Sequence, residues 1–540
     1  MALAEGLPES LYAAFSAARS RAPDLPFLAE SALSGDHCWT FEQAGQQVDA
    51  LADAYARRGW GQGHRVALAV GNHPRHFFHF LALNRLGASI VPLNPDHRGG
   101  EVRHVLRLCG ADLVVALPER LAVVDAVLRD DTTLHALAVV LDQELPPDPP
   151  EAPEGRRVAT AVAVWQREAA ILFTSGSSGH PKGCILSNAY VMTAGAWYRD
   201  LGGALTLRAR QERLLNPLPV FHMNCGMTTI ATMCLTDNCL VLPDRFHAST
   251  WWEDCVRSKA TAIHYLGIMP PALFKQPRNR WERRHEIRFG LGAGCDPGLH
   301  PKVEQRFGFP FVEVWGMTET GRFLANQHAP RQTDTRAFGR QAAPLQARVV
   351  DEQDVEVPVD AVGELVVRAE GPDPRLGFFG GYLDDPVATQ QAWRGGWFHT
   401  GDMVTQDASG MFYFVDRRKD MIRRSGENIS AAEVEATLAG HAAVARVAVL
   451  AVPDELRDEE VLAVVVAAAG HASDEVTADR LLQHCLRELA YYKAPGWLVF
   501  HAELPVTATN KLQKAAIFPT GVDPRHGAID LRQRKKRQQV

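Results

Sequence analysis

Ten consecutive residues, Thr174-Ser175-Gly176-Ser177-Ser178-Gly179-His180-Pro181-Lys182-Gly183, combine glycines, hydroxyls and a lysine in one short segment. Three glycines let the backbone turn its N–H groups inward, and four hydroxyls and one lysine add further donors. That set suits a polyphosphate, whose oxygens accept many hydrogen bonds and concentrate negative charge. The pattern GxxxxGK[ST] cannot be laid onto it, so it is a phosphate loop of another kind.

A loop of this composition has to be held at its ends. The apolar run Ala169-Ala170-Ile171-Leu172-Phe173 directly before it reads as a buried strand. Upstream, Thr40-Phe41-Glu42-Gln43 reads as a capping box, and Phe41, Ala44, Val48, Leu51, Ala52 and Tyr55 then share one helical face. Arg65 to Val70, Ala88 to Leu93 and Asp112 to Leu117 are short strand-like runs, and Phe77 to Leu86 between them is helical in pattern. The alternation predicts a largely parallel sheet with helices on both faces. Glu144 to Gly155, rich in proline and acid, predicts a surface loop.

Composition narrows the field. At 540 residues the chain exceeds one ordinary core, so two or more domains are expected. A net charge of −6 argues against a general nucleic-acid binder. Nine cysteines without a CxxC pair fit reduced thiols in a cytoplasmic protein better than disulfides or a zinc site. The N-terminus does not read as a secretory signal. No apolar run approaches the roughly 20 residues of a membrane helix, so stable membrane insertion is not expected. The basic tail from Arg532 to Arg537 reads as a solvated, frayed end.

The loop resembles the phosphate loop of the acyl-adenylate-forming superfamily, which includes acyl-CoA synthetases, luciferases and peptide-synthetase adenylation domains. The usual form there is TSG[ST][ST]GxPKG, and every specified position is met. Further segments follow in the family's order, and the resemblance spans about Trp39 to Lys514. Trp315-Gly316-Met317-Thr318-Glu319, after the strand-like Phe311 to Val314, is similar to [YW]GxTE. The likeness implies an aromatic beside adenine, Thr318 near the α-phosphate and Glu319 on Mg²⁺. Trp397-Phe398-His399-Thr400-Gly401-Asp402 resembles [WY]xxTGD, which implies that Asp402 accepts hydrogen bonds from the ribose hydroxyls. Arg417 corresponds to the family arginine that also reaches the ribose. Gly292-Ala293-Gly294-Cys295 resembles the small-residue segment beside adenine and the acyl group, where Cys295 is a wall residue.

Leu504-Pro505-Val506-Thr507-Ala508-Thr509-Asn510-Lys511 resembles LPxTxxGK, which makes Lys511 the lysine of adenylation and Lys514 a decoy. Asn510 replaces the usual glycine, and asparagine tolerates left-handed backbone better than most residues. Pro217 to Asn224 resembles PxFHxx, implying an acyl pocket formed by His222, Met223, Asn224 and Cys225. A carboxylate with a pKa of about 4 is already ionised at neutral pH, so His222 is expected to position rather than to act as base. Lys419 falls at the family's hinge, and Ser425, Gly426 and Glu427 along its CoA channel. Phe221 to Cys225, Phe246 to Trp252 and Phe414 to Arg418 are closest in pattern to crotonobetaine/carnitine-type CoA ligases. Trp251, Trp252, Tyr265 and Trp315 could surround a quaternary ammonium, although plain packing explains aromatics at such places more often.

The expectation is an α/β fold. A large domain of layered, mostly parallel sheets and helices spans 1–415, a hinge linker 416–420, and a small α+β lid 421–540. The implied reaction joins a carboxylic acid to CoA with ATP and Mg²⁺, releasing AMP and pyrophosphate, through an acyl-adenylate. The alternative is an adenylating enzyme that passes its acyl group to a carrier protein or an amine. The acid stays open among short or medium aliphatic, aromatic and betaine-like acids, and homodimer formation stays open too.

Overall fold

The computed structural model describes residues 6–33, 35, 37–95, 97, 99–134, 137–140, 149–153, 162–174, 182–417, 420–424, 427–454, 457–489, 491–506, 512–519 and 521–535. For 137–140, 417, 423, 427, 428 and 458 only the backbone is described. The chain divides into two compact units. The first comprises 1–348, 366–399 and 408–413, and the second 349–365, 400–407 and 414–540.

The first unit contains two sheets. One has the strand order Leu137–Val140, Leu113–Ala116, Arg65–Ala69, Ser89–Pro92, Glu168–Thr174 and Lys182–Ser187. All neighbours are parallel except the final hairpin. The expected alternation is therefore present, and it arises as anticipated. Thr40 caps the helix Phe41–Arg57 in a reciprocal box with Gln43. Phe41, Ala44, Val48, Leu51, Ala52 and Tyr55 are all buried on one face. The helix Pro74–Leu86 starts with proline at its first turn and stops at Gly87, whose φ of +79° favours glycine.

The second sheet runs Phe323–Ala325, Phe311–Gly316, Phe289–Ala293, Ala262–Leu266, Arg213–Leu215, Cys239–Leu242, Pro26–Glu30 and Cys38–Thr40. Its six central strands are parallel, and antiparallel strands close both ends. Strands buried on both faces read as largely apolar runs, as in Phe27 to Ala29 and in Cys239–Leu242. A further five-stranded sheet is ordered Ala337–Arg340, Met411–Arg417, Phe398–Gln406, Gly363–Ala369 and Leu345–Val350.

The second unit contains a sheet in which Asp458–Ala467 pairs with both Val444–Asp454 and Trp497–Phe500. The helices Ala431–Ala439 and Glu475–Glu488 pack on it through Val434, Leu438, Leu481 and Leu482. The segment 416–420, expected as linker, begins inside structure. Asp416 and Arg417 complete the strand Met411–Arg417, and Asp416 is 4% exposed. The tail also departs from expectation up to Lys535. Arg532 pairs with Asp454 and lies over the Trp497 ring, and fully buried Lys535 donates to Glu460 at 2.7 Å. Arg424 joins the same Glu460, so one carboxylate gathers two cations, and burial draws Lys535 down to about 8. Gln533 and Arg534 between them are exposed, so only Arg532 and Lys535 of the described tail depart from a solvated end. Among the described residues no helix is long and apolar enough to cross a membrane.

Candidate active site

The hairpin Glu168–Thr174 and Lys182–Ser187 brings Thr174 and Lys182 into direct register, one at each end of the glycine-rich loop. Ser175, Gly176, Ser177, Ser178 and Gly179 lie outside the described residues. Lys182 Nζ is 3.4 Å from Asp385 Oδ2 and 5.0 Å from the centre of the Tyr382 ring. Asp385 caps the helix Pro386–Ala392 through the Ala388 N–H, which with Lys182 holds its carboxyl below the usual range. At Gly183 a Cβ would meet Ile171 and Leu383 at 3.1 and 3.3 Å, so the return strand packs closely.

Thr318 and Glu319 leave the strand Phe311–Gly316 in a turn with several anchors. Tyr190 donates its hydroxyl to the Thr318 carbonyl at 2.6 Å. Thr320 bonds back to the carbonyls of Met317 and Arg322. Glu319 is 5% exposed, its Oε1 accepts the Tyr382 hydroxyl at 2.9 Å, and its carbonyl accepts the Phe379 N–H at 3.0 Å. Burial first, with Glu319 beside it, pushes the Tyr382 phenol well above its ordinary range, so it remains a donor. A carboxylate in a turn with threonine oxygens is a hard donor set, and Mg²⁺ takes such oxygens. Glu319 therefore fits a magnesium ion, with Thr318 beside it.

The strand Phe289–Ala293 ends at Gly294, whose φ is +88°. At Gly292 a Cβ would collide with the Tyr265 carbonyl and ring, so only glycine fits. Glu313 fixes this corner: its carboxylate accepts from Gly294 N–H at 2.7 Å, Cys295 N–H at 3.2 Å and the Tyr265 hydroxyl at 2.5 Å. Burial raises the Glu313 pKa and pushes the Cys295 thiol up to about 12. A thiol raised this far is a poor nucleophile. Trp315 is almost fully buried, 6.1 Å from the Phe338 ring. Trp251 and Trp252, each 2% exposed, pack against Phe246 and against Phe307 and His285, so they belong to the core.

His222 is exposed, ahead of an unusual π-helical turn over Asn224–Thr229. Gly226 N–H donates to the His222 carbonyl at 2.9 Å, and a Cβ at Gly226 would strike the Val220 carbonyl. Asn224 Oδ1 meets His264 Nδ1 at 2.7 Å and Asn216 Nδ2 at 3.0 Å. Burial lowers His264 to about 3, so its ring is neutral. Cys225 is fully buried and burial raises its thiol. Met223, at the start of the turn, is half-buried.

In the second unit, Asp402 is 2% exposed on the strand Phe398–Gln406. Its N–H donates to Thr400 Oγ1, and Gly401, at φ +71°, donates to Glu364 at 3.0 Å. Arg417 has its backbone in the strand Met411–Arg417, but its side chain lies outside the described residues, as does that of Glu427. Lys419, Ser425, Gly426 and Lys511 lie outside them altogether. Val506 and Leu512 pair as an antiparallel bridge. Lys514 binds Glu435 at 2.9 Å, so the decoy lysine has an internal partner.

Sequence reasoning passed over Tyr382, Asp385, Glu313 and Tyr190. The signal at hand for the first two was Gly380-Gly381-Tyr382-Leu383-Asp384-Asp385-Pro386, a turn running into a capped helix.

Comparison with known proteins gives a consistent picture. Residues 15–383 match the AMP-binding enzyme family, and residues 433–511 match the AMP-binding enzyme C-terminal domain. A crotonobetaine/carnitine–CoA ligase of Proteus mirabilis is 30% identical over 499 residues, covering 90% of this chain and 94% of the relative. A sulfoacetate–CoA ligase of Cupriavidus necator is 29% identical over 532 residues, covering 94% and 97%. The fold is that of ATP-bound MatB from Rhodopseudomonas palustris, with a TM-score of 0.79, 21% identity and coverage of 98% and 100%.

Proposed function

We propose that this chain, which belongs to the AMP-binding enzyme family, is an AMP-forming acyl-CoA synthetase that works through an acyl-adenylate. The observation that carries the reading is the meeting of Lys182 and Glu319 on one side chain, Tyr382. That places the cation at the end of the glycine-rich loop close to an acidic turn suited to magnesium.

In the first half-reaction a carboxylate oxygen of the substrate attacks the ATP α-phosphorus, and the bond to the bridging oxygen breaks to release pyrophosphate. The acid is already ionised at neutral pH, so the work is positioning and charge stabilisation. Lys182 and the N–H groups of the loop would bind the phosphates. Thr318 would contact the α-phosphate, and Lys511 would neutralise the charge that develops there. Glu319 would hold Mg²⁺, which when bound spreads the charge of the phosphate oxygens. Trp315 with Gly292, Ala293 and Gly294 would flank adenine, and Asp402 and Arg417 would bind the ribose.

In the second half-reaction the CoA sulfur attacks the acyl carbonyl, the thiol proton goes to solvent, and AMP departs. Thiols are strong nucleophiles with a pKa near roughly 8.5, so no triad is required. Ser425, Gly426 and Glu427 would line the CoA path. Residues 1–415 would form the adenylation domain, 416–420 with Lys419 the hinge, and 421–540 a lid that alternates between the two steps.

For the acid, the relatives point to small polar substrates, one a quaternary-ammonium acid and the other a sulfonate. The pocket would be formed by His222, Met223, Asn224, Cys225 and Cys295. The nine cysteines, none of them in a disulfide, support a reducing, cytoplasmic setting. The test is pyrophosphate release with ATP and Mg²⁺ across short polar, aliphatic and aromatic acids, with and without CoA. Thioester formation with at least one acid is expected. Pyrophosphate release without any thioester would transfer the protein to the carrier-dependent adenylating enzymes.

A further inference from the structure

The segment 379–383 is stitched to both sides of the proposed phosphate site. Leu383 N–H donates to the Gly183 carbonyl at 2.7 Å, and Ile185 exchanges two backbone hydrogen bonds with Gly380 and Gly381 at 2.7 and 3.0 Å. Tyr382 forms an antiparallel bridge with Cys184, and its N–H is held by Thr389 Oγ1 at 2.9 Å. Phe379 N–H reaches the Glu319 carbonyl. The Tyr382 backbone therefore has little freedom relative to either the Lys182 strand or the Glu319 turn.

From this base its side chain performs two tasks. The hydroxyl donates to Glu319 Oε1, and the ring face lies under Lys182 Nζ. A phenol can neutralise neither charge, but it can fix where each sits. An aromatic face attracts an ammonium without competing for its hydrogen bonds to phosphate. A single donor on one carboxylate oxygen sets the orientation of the other. Asp385 is a further partner of Lys182, at 3.4 Å, and an arriving triphosphate would compete with it for the ammonium.

Resting on the adenylation reading, we propose that Tyr382 is the positioning residue of this site, one side chain that sets both the Glu319 carboxylate and the Lys182 ammonium against the phosphates of ATP. Tyr382→Phe removes the hydroxyl and keeps the ring, whereas Tyr382→Leu removes both. The probes are Mn²⁺, followed by the electron paramagnetic resonance of its free ion in the presence of ATP, and the KM for ATP in pyrophosphate release. Tyr382→Phe should weaken Mn²⁺ binding by about tenfold, the scale of one hydrogen bond to a charged group, and leave KM for ATP within about twofold. Tyr382→Leu should weaken Mn²⁺ similarly and also raise KM for ATP several-fold. Mn²⁺ affinity in Tyr382→Phe that equals or exceeds wild type, at a matched melting temperature, would overturn the proposal. So would a KM for ATP that rises equally in both variants. Tyr382→Phe is isosteric and keeps the test decisive should Tyr382→Leu not fold. Wild-type protein that binds Mn²⁺ with ATP but releases no pyrophosphate with any acid would sink the adenylation reading instead, while the Mn²⁺ comparison would still judge Tyr382.

Discussion

The Asp416 carboxylate accepts a hydrogen bond from the Ser430 hydroxyl at 2.8 Å and a second, at 2.9 Å, from the Ala432 N–H. Ser430 in turn accepts from Glu433 N–H and so caps the helix Ala431–Ala439. A strand end and a helix start in the second unit are thus fastened by one buried carboxylate at a helix N-terminus, where negative charge is favoured. Lys419, the proposed pivot, lies three residues on.

Removing that fastening should loosen the second unit without touching any group assigned to chemistry. Asp416→Ala leaves the Ala432 N–H without its acceptor and the Ser430 hydroxyl with only the longer bond to the Val415 carbonyl at 3.4 Å, and should cost about 1–3 kcal/mol in urea unfolding. Asp416→Asn keeps an acceptor and should recover part of it. An Asp416→Ala protein as stable as wild type would mean that water replaces the carboxylate fully.

Lys511 and Lys514 are separated by only two residues but should behave oppositely. Lys511→Ala should reduce adenylation by about 100-fold or more, the usual effect of losing a transition-state donor, and leave thioester formation from supplied acyl-AMP largely intact. Lys514 already pairs with Glu435, a carboxyl whose pKa burial raises and Lys514 draws back. Lys514→Ala should therefore lower stability and spare the first half-reaction. Measuring both half-reactions in both variants checks the assignment, and equal loss of the two half-reactions in Lys511→Ala counts against it.

Glu319→Gln isolates charge from shape. The amide oxygen can still accept the Tyr382 hydroxyl, so the turn held by Tyr190 and Phe379 should persist. Adenylation should fall by about 10²–10³-fold, with a higher Mg²⁺ requirement and an unchanged melting temperature. Full activity at ordinary Mg²⁺ would remove Glu319 from the metal site.

Much of this was legible in the chain because the informative features were local. The capping box at Thr40 and Gln43 and the apolar strand before the glycine-rich loop each lie within a few residues. What escaped depends on residues far apart in sequence. Tyr382 meets Glu319 across 63 positions, and Glu313 reaches Gly294 across 19, relationships no spacing rule encodes. The burial of Asp416 against the start of the helix Ala431–Ala439 is likewise a relationship that only the fold reveals. Lys535 repeats the point: tail composition predicted exposure, but Glu460 draws that lysine inside.

The cysteines offer a test of the pocket that does not depend on knowing the acid. Cys38 is exposed, and the other eight are buried. Reaction with a disulfide reagent requires both access and thiolate, and a thiol at about 12, such as Cys295, is only about 10⁻⁴ ionised at pH 8. Native protein at pH 8 should therefore show one fast-reacting thiol, lost in Cys38→Ser, and the full nine only after unfolding. Cys295→Ala should keep thioester synthesis with CoA, since a wall residue contributes shape and not electrons. Labelling of Cys295 as fast as Cys38, or loss of thioester synthesis in Cys295→Ala at unchanged adenylation, would make that thiol a participant in acyl transfer.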